Sequence, residues 1–131
     1  MSFMLTEAQF LDGSKDVTRR VGWRDLKPGE RFLAVRKTMG LRKGEKQHVL
    51  GECVAVSVRR EPLGVITADD CRREGFPEFD PAAFVLMFCR HMKCHAHQPV
   101  TRIEFRKLGD EAARHIVAVA NSDCRGAWSD D

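Results

Sequence analysis

The stretch Gly13-Ser14-Lys15-Asp16-Val17-Thr18-Arg19-Arg20 joins a turn to the start of a strand. The side chains alternate over residues 16–21, which predicts a β-strand with Thr18 and Arg20 on the same face. Lys15, at the start of this strand, is able to turn towards that face. Three groups that bind anions and carbonyl oxygens then lie together, which favours a small, polar, nucleotide-like ligand. A solvated strand edge with ordinary surface charges is the alternative.

Further strands are predicted along the chain. The Pro-Gly centre of residues 27–30 is typical of a tight turn, and a mostly buried strand follows over residues 31–37. A long strand is expected over residues 48–59, with a bulge at Gly51. Its alternating valines are expected to share one face: Val54, Val56 and Val58. The clearest alternation of apolar and charged side chains lies at residues 101–106, and it completes a predicted sheet.

A short helix is predicted ahead of the opening stretch. Thr6 and Gln9 have the spacing of a capping box, and Leu5 and Phe10 have that of a hydrophobic staple. Gly13 stands where such a helix ends in a left-handed residue.

Two later helices also have recognisable ends. Thr67 is placed as the N-cap of a helix over residues 68–74, and Gly75 is placed as its terminator. Asp80, followed by Pro81, repeats the start signal. The next helix has an apolar stripe that is expected in the core and not in a cofactor groove: Phe84, Val85, Phe88 and Met92.

The opening stretch carries a family resemblance. Gly13, Lys15 and Arg20 form the pattern Gly-x-Lys-x-x-x-x-Arg, which resembles the signature of ASCH domains, relatives of the PUA RNA-binding domains. The resemblance covers residues 1–108 and continues in order through five further motifs: Gly22-Trp23, residues 26–30, residues 60–63, residues 73–77 and residues 102–105. It implies an α+β fold, a small PUA-like β-barrel with two to three flanking helices. Residues 109–131 are expected to form a C-terminal extension, a short helix or an edge strand followed by a polar tail.

Glu74 is a second chemical signal. It falls at the end of a predicted helix, where the backbone carbonyls carry partial negative charge, so a carboxylate there is poorly placed for stability and is a candidate for a site. An exposed glutamate that tolerates the position is the alternative. The resemblance to bacterial ASCH-type N4-acetylcytidine amidohydrolases implies a catalytic set, because Lys15, Thr18 and Glu74 match that family's Lys-x-x-Thr pair and later Glu.

The chemistry that this resemblance implies is amide hydrolysis. Thr18 is the implied nucleophile, Lys15 lowers its pKa or acts as a base, and Glu74 passes a proton to the leaving amine. The commoner ASCH pattern has Glu in place of Thr18, so this chain is closer to the amidohydrolase branch. Arg19 and an insertion over residues 40–46 depart from that branch.

Ligand contacts are expected from four residues beside the catalytic set: Gly13, Arg20, Trp23 and Phe76. Arg20 is expected to orient the ligand. Stacking of an aromatic ring on a base contributes about 1 to 3 kcal/mol in single-strand binders, and one of Trp23 and Phe76 is expected to stack in this way. A half-buried Trp that closes one end of the barrel is the alternative for Trp23.

Composition fits one compact, soluble domain. A chain of 131 residues with 43% hydrophobic residues is able to bury a single core. No apolar run approaches the roughly 20 residues needed to cross a bilayer, and residues 1–10 lack the pattern of a signal peptide. A cytoplasmic protein without a membrane partner is therefore expected, and its five cysteines are expected to be reduced thiols.

The charge is unevenly distributed. The net charge is only +3, but residues 15–60 contain 13 Lys and Arg against 5 Asp and Glu. This basic half favours phosphate-bearing partners, and RNA or a modified nucleoside is expected. Positive charges that only protect strand edges from aggregation are the alternative.

A second cluster contains metal-binding residue types: Cys89, His91, Cys94, His95 and His97. These are zinc-compatible ligands, but their spacing matches no recognised zinc motif. A core thiol and a polar helix end are expected, with no metal and no cofactor, and metal binding by this cluster is the alternative.

Three classes of function stay open from the sequence. The chain is a nucleobase-recognising RNA-binding module, a nucleoside amidohydrolase that uses the same pocket, or a protein-interaction scaffold that has kept the fold without the site. A ribonuclease is a further alternative within the family.

Overall fold

The computed structural model describes residues 1–36, 44 and 47–108. Within them, the chain forms the following helices and strands in order: α1 (Glu7–Asp12), β1 (Val17–Arg20), β2 (Arg31–Val35), β3 (Val49–Pro62), α2 (Ala68–Arg73), α3 (Pro81–Met92) and β4 (Pro99–Lys107). The α+β class predicted from the sequence is confirmed. The extension over residues 109–131, and the insertion over residues 40–46 apart from Gly44, lie outside the described residues.

The strands form one antiparallel sheet in the order β1-β4-β3-β2. Strand β1 pairs with β4, the strand most distant from it in sequence, and this pairing sets Thr18 opposite Ile103 and Arg19 opposite Arg102. In the part of the chain that the structure describes, the sheet is open, with β1 and β2 at its edges. The closed barrel is therefore not confirmed and stays a prediction.

Strand β3 contains two irregularities that change which side chains face the core. Its pairing with β2 shifts beside Gly51, as the sequence predicted. Its pairing with β4 shifts between Ala55 and Ser57, which leaves Val56 as an extra residue. The prediction that Val54, Val56 and Val58 share one face is wrong, because the extra residue reverses the alternation. Val56 is 49% exposed, whereas Val58 packs against the core.

Two hydrophobic clusters stabilise the sheet. The first is aromatic and contains Phe3, Phe10, Phe32 and Phe105, whose rings contact one another at centroid distances between 5.0 and 6.1 Å. The second joins β4 to the two later helices through buried side chains: Leu63, Ile66, Cys71, Phe84, Phe88 and Val100. The apolar stripe predicted for α3 lies in this second cluster. Helix α3 has 12 residues, and no helix of the described ranges has the length and apolar character that crossing a bilayer requires.

The ends of the two later helices agree with the sequence prediction. The Thr67 hydroxyl accepts a hydrogen bond from the backbone N–H of Asp70, and the Asp80 carboxylate accepts one from the N–H of Ala83. These bonds satisfy backbone donors that a helix start would otherwise leave free. Both helices therefore begin where the local sequence placed them.

Helix α1 differs from its prediction at its start. Thr6 is the N-cap residue, but its side chain makes no capping hydrogen bond. The Gln9 amide donates instead to the backbone carbonyl of Gly75, at 3.1 Å. Leu5 is 55% exposed, so it forms no staple with Phe10. The predicted capping box and staple are wrong because Gln9 is used to join α1 to the end of α2.

Position 75 requires glycine because its backbone has a positive φ and because the side chain of Gln9 packs closely against it. Its φ is +101°, and an added Cβ would lie 3.0 Å from the Cβ of Gln9. Gly13 has a similar φ of +84° but has open space where a Cβ would lie. We expect Gly75→Ala to lower the free energy of unfolding by about 2 to 3 kcal/mol, and Gly13→Ala by about 1 kcal/mol, in urea denaturation. Equal losses in the two variants would contradict the packing argument.

Candidate functional site

A pocket of ≈480 Å³ opens beside β1 and α3. Its polar lining residues include four that the sequence singled out: Lys15, Thr18, Arg20 and Glu74. Its apolar wall includes aromatic rings from the start of the chain, from the segment between α2 and α3, and from α3: Phe3, Phe76, Phe84 and Phe88. The volume lies within the range of small-molecule sites. The structure thus brings together residues that are as far apart as 59 positions in sequence.

Backbone hydrogen bonds hold the polar wall in place. The N–H of Lys15 donates to the carbonyl of Gln9 in α1, and the N–H of Asp16 donates to the carbonyl of Arg73 in α2. Helix α2 ends at Arg73 with Glu74 as its C-cap residue, and Gly75 in the left-handed conformation turns the chain away. Helices α1 and α2 are therefore both tied to the start of β1, where Lys15 lies.

Lys15 and Glu74 form a buried ion pair. The Lys15 Nζ donates to Glu74 Oε1 at 2.9 Å and to the backbone carbonyl of Glu74 at 2.8 Å. Both residues are less than 5% exposed. The ammonium thus satisfies a carbonyl at the end of α2 and neutralises the carboxylate beside it, which removes the unfavourable placement of Glu74 at a helix C-terminus.

Burial lowers the pKa of the Lys15 ammonium below its ordinary value. The Glu74 carboxylate acts in the opposite direction on this pKa, and the nearby Arg20 and Arg19 add to the lowering. Loss of a proton from Lys15 is therefore easier than for an exposed lysine. With Glu74 Oε1 at 2.9 Å, the pair is able to exchange a proton directly.

Thr18 and Arg20 lie on the same face of β1, as predicted. Arg20 Nε donates to Thr18 Oγ1 at 3.0 Å, and Arg20 Nη2 donates to the carbonyl of Ser2 at 2.6 Å. The Thr18 side chain is buried, and its oxygen accepts this hydrogen bond from a positively charged group. Among the described residues, Thr18 Oγ1 bonds to Arg20 and has no hydrogen bond to Lys15. A proton transfer between Thr18 and Lys15 therefore requires a side-chain movement when ligand binds.

Arg19 is a functional candidate that sequence reasoning missed. It lies on the opposite face of β1, is 4% exposed and lines the pocket. Its guanidinium contacts three carboxylates: Asp70 at 2.6 Å, Glu61 at 3.1 Å and Glu74 at 3.5 Å. Arg19 therefore holds the second carboxylate oxygen of Glu74 while Lys15 holds the first.

Asp70 connects Arg19 to the next strand. Arg102 donates to both Asp70 oxygens, at 2.7 and 3.1 Å, and this bidentate bond lowers the pKa of the Asp70 carboxyl well below its ordinary value, with a further contribution from Arg19. Asp70 lies four residues before Glu74, on the same side of α2. That spacing of two acidic residues, together with arginines in two strands, is the sequence signal from which this network was predictable.

The structure separates the remaining predicted ligand contacts. Phe76 lines the pocket, and its ring stacks on Phe79 at a centroid distance of 5.2 Å. Trp23 packs against Phe32 in the aromatic cluster and does not line this pocket. Gly13 lines a second, polar depression of ≈430 Å³. Of the two aromatic candidates, Phe76 is the one placed to contact a ligand.

The Cys and His cluster contributes little to a metal site. Cys89 and Cys94 approach at 4.0 Å between sulfurs. In the described ranges, no three His, Cys, Asp or Glu side chains are grouped to hold a metal ion. The four cysteines in these ranges are free thiols, and burial raises the pKa of the Cys53 thiol to about 12. His91, by contrast, lies on the rim of the pocket beside Lys93.

Comparisons with protein-family models, curated proteins and solved structures found no match to this chain. The central feature is a buried Lys15–Glu74 pair next to a hydroxyl and an aromatic ring.

Proposed function

We propose that the pocket binds a single nucleobase, from RNA or from a modified nucleoside, in a PUA-like barrel domain of ASCH type. The observation that carries this proposal is the convergence of Lys15, Thr18, Arg20 and Glu74 on one pocket. Such a pocket combines an apolar wall with a few fixed polar groups, as nucleobase sites and other small-molecule sites do.

The balance of charge inside the pocket favours a flat, neutral group. Lys15 is neutralised by Glu74, and Arg19 is neutralised by the carboxylates around it. Two of the three N–H groups of the Lys15 ammonium donate to Glu74, so the third is available for a ligand oxygen. Phe76 offers a ring for stacking. A base that carries a carbonyl or an acylated amino group meets these requirements without an unpaired buried charge.

Hydrolysis of an N4-acylcytidine is the second candidate function, and the Lys15–Glu74 contact favours it. In this reaction Lys15 first passes a proton to Glu74. Thr18 Oγ then attacks the acyl carbonyl and its proton moves to the Lys15 amine, while Glu74 protonates the cytidine N4 as the C–N bond breaks. Water hydrolyses the resulting acyl ester, which releases the carboxylic acid and restores the Thr18 hydroxyl.

Binding and turnover of defined nucleosides test the two functions. Cytidine, uridine and N4-acetylcytidine are titrated into ¹⁵N-labelled protein, and N4-acetylcytidine is incubated with the protein while released cytidine is measured by chromatography. Base binding predicts shifts at residues that line the pocket, and the hydrolase predicts cytidine and acetate in equal amounts. The proposal fails if neither nucleosides nor short RNA shift any pocket resonance, and the scaffold function then gains support.

Phe76 provides a matched test of base stacking. We expect Phe76→Ala to weaken nucleoside binding about tenfold, because an aromatic stack on a base is lost. Trp23→Phe is the control, since Trp23 lies in the aromatic cluster away from the pocket. Its nucleoside affinity is expected to match that of the unsubstituted protein in the same calorimetric titration. Equal weakening by both substitutions would mean that the ligand does not stack on Phe76.

A further inference from the structure

The cations inside the pocket are committed to protein partners. Lys15 pairs with Glu74, Arg19 pairs with three carboxylates, and Arg20 donates to two oxygens of the pocket wall. A phosphate in the interior would have to displace these contacts. The interior therefore suits the base of a ligand and does not suit its charged group.

The mouth of the pocket differs from the interior. His91 and Lys93 line it and are exposed. Neither side chain makes a hydrogen bond or an ion pair with any residue that the structure describes. Glu74 is the only carboxylate that lines the pocket within the described ranges, and it is 3% exposed. An ammonium and an imidazole are thus available at the mouth, with no acidic side chain of the described lining beside them.

Lys93 occupies its place in a strained backbone conformation. It follows α3 directly with a φ of +53°. Glycine or asparagine is usual at such a helix end, because a Cβ is unfavourable in the left-handed region. Non-glycine residues in this conformation occur preferentially at ligand clamps and active sites. The chain therefore keeps a long cationic side chain at a position where glycine gives the more stable fold.

From these observations we infer that the ligand is a nucleotide, whose base enters the pocket and whose phosphate contacts Lys93 and His91 at the mouth. This inference rests on the proposed function and specifies its substrate class. Phosphate oxygens accept charge-assisted hydrogen bonds from an ammonium and hydrogen bonds from an imidazole N–H. The phosphate belongs to a free nucleotide or to the end of an RNA strand, since both present the same group.

Three probes separate these sources: cytidine, cytidine 5′-monophosphate and an RNA trinucleotide that ends in cytidine. None contains an acyl group, so no turnover interferes with the titration. At 50 mM salt we expect at least one phosphorylated probe to bind about fivefold more tightly than cytidine, as one exposed charge pair allows. A gain with the mononucleotide identifies a free nucleotide, and a gain with the trinucleotide alone identifies RNA. The advantage is expected to shrink at 500 mM salt.

Lys93→Met and Arg90→Met form a matched pair of variants. Both remove one exposed positive charge at the end of α3, but Arg90 does not line the pocket. Lys93→Met is expected to abolish the fivefold advantage while cytidine affinity stays unchanged, and Arg90→Met is expected to keep it. Equal affinity for all three probes, or equal effects of the two variants, overturns the inference. If cytidine binds and the phosphorylated probes bind no more tightly, the proposed function survives alone; if no probe binds, the inference falls, and the titration with uridine and N4-acetylcytidine decides the proposed function.

Lys93→Gly adds a measurement of stability. Removal of the Cβ relieves the left-handed backbone, so the thermal unfolding midpoint is expected to rise by about 3 °C. The same variant is expected to lose the phosphate advantage. If Lys93→Gly is more stable but binds the nucleotide more weakly, Lys93 has a binding role, because poor folding cannot explain the lower affinity. If Lys93→Gly still binds the phosphorylated probe more tightly than cytidine, that role is contradicted.

Discussion

Replacing Thr18 with alanine is expected to lower the hydrolysis of N4-acetylcytidine by about 10³-fold or more, because the proposed reaction loses its nucleophile. The Thr18 hydroxyl lies in the pocket next to a guanidinium, with Arg20 Nε at 3.0 Å. Binding of the nucleoside is expected to change little, since stacking and the Lys15 donor remain. The effect therefore falls on kcat, which a time course of cytidine release at saturating substrate measures.

Two variants control this result. Thr18→Ser keeps a hydroxyl at the same place and is expected to retain activity within about tenfold. Thr101→Ala removes another buried hydroxyl, which bonds to Gly22 and Arg60 and does not line the pocket. It is expected to reduce stability without loss of activity in the folded protein. Substantial hydrolysis by Thr18→Ala would show that water attacks the amide directly.

Replacing Asp70 with asparagine is expected to lower the free energy of unfolding by about 3 to 5 kcal/mol, the usual effect of removing one member of a buried charge network. Arg102 and Arg19 are 5% and 4% exposed and share this carboxylate. Without it, Arg102 loses its charged partner and Arg19 keeps only its longer contacts to Glu61 and Glu74. Urea denaturation at pH 7 measures the loss.

Asp69 is the matched control on the same helix. Its carboxylate pairs with Arg72 in an exposed i,i+3 contact, with both side chains more than 60% exposed. Asp69→Asn is expected to change the free energy of unfolding by less than about 1 kcal/mol. A similar small change in Asp70→Asn would mean that the network contributes no more than a surface pair.

The contribution of Asp70 to the free energy of unfolding is also expected to depend on pH. Arg102, with Arg19, holds the folded-state pKa of this carboxyl below its ordinary value of 3.8. The stabilisation is therefore complete above that ordinary value and is lost as the pH falls below it. The difference in unfolding free energy between the native protein and Asp70→Asn is expected to be constant from pH 5 to pH 7 and to shrink below pH 4. A difference that stays constant to pH 3 would contradict the assignment.

Features set by short-range sequence were predictable. Thr67, Asp80 and Gly75 mark the ends of helices through bonds to residues no more than four positions away, so their patterns are complete in the local sequence. The valines of β3 were assigned wrongly for the opposite reason. Their exposure depends on an extra residue, Val56, whose presence is decided by the pairing of β3 with a distant strand.

In the candidate site, too, some residues were predictable from the sequence and others were not. Lys15, Thr18 and Arg20 were found from strand alternation and Glu74 from its position at a helix end, and the structure places all four on one pocket. Arg19 was treated only as a departure from the amidohydrolase branch. Its contacts join residues 42 to 55 positions apart, and nothing in the local sequence shows which carboxylates fold against β1.

The pairing of β1 with β4 has a consequence for synthesis of the protein on the ribosome. Most residues of the polar wall lie in the first part of the described chain, yet the strand partner that β1 has among the described residues, β4, is complete only after residues 101–104 have been made. A nascent chain that ends before β4 leaves β1 without its hydrogen bonds and Asp70 without Arg102. We therefore expect a nascent chain that stops before residue 101 not to bind the proposed nucleotide, and a titration of such a truncated chain beside the 131-residue chain measures this.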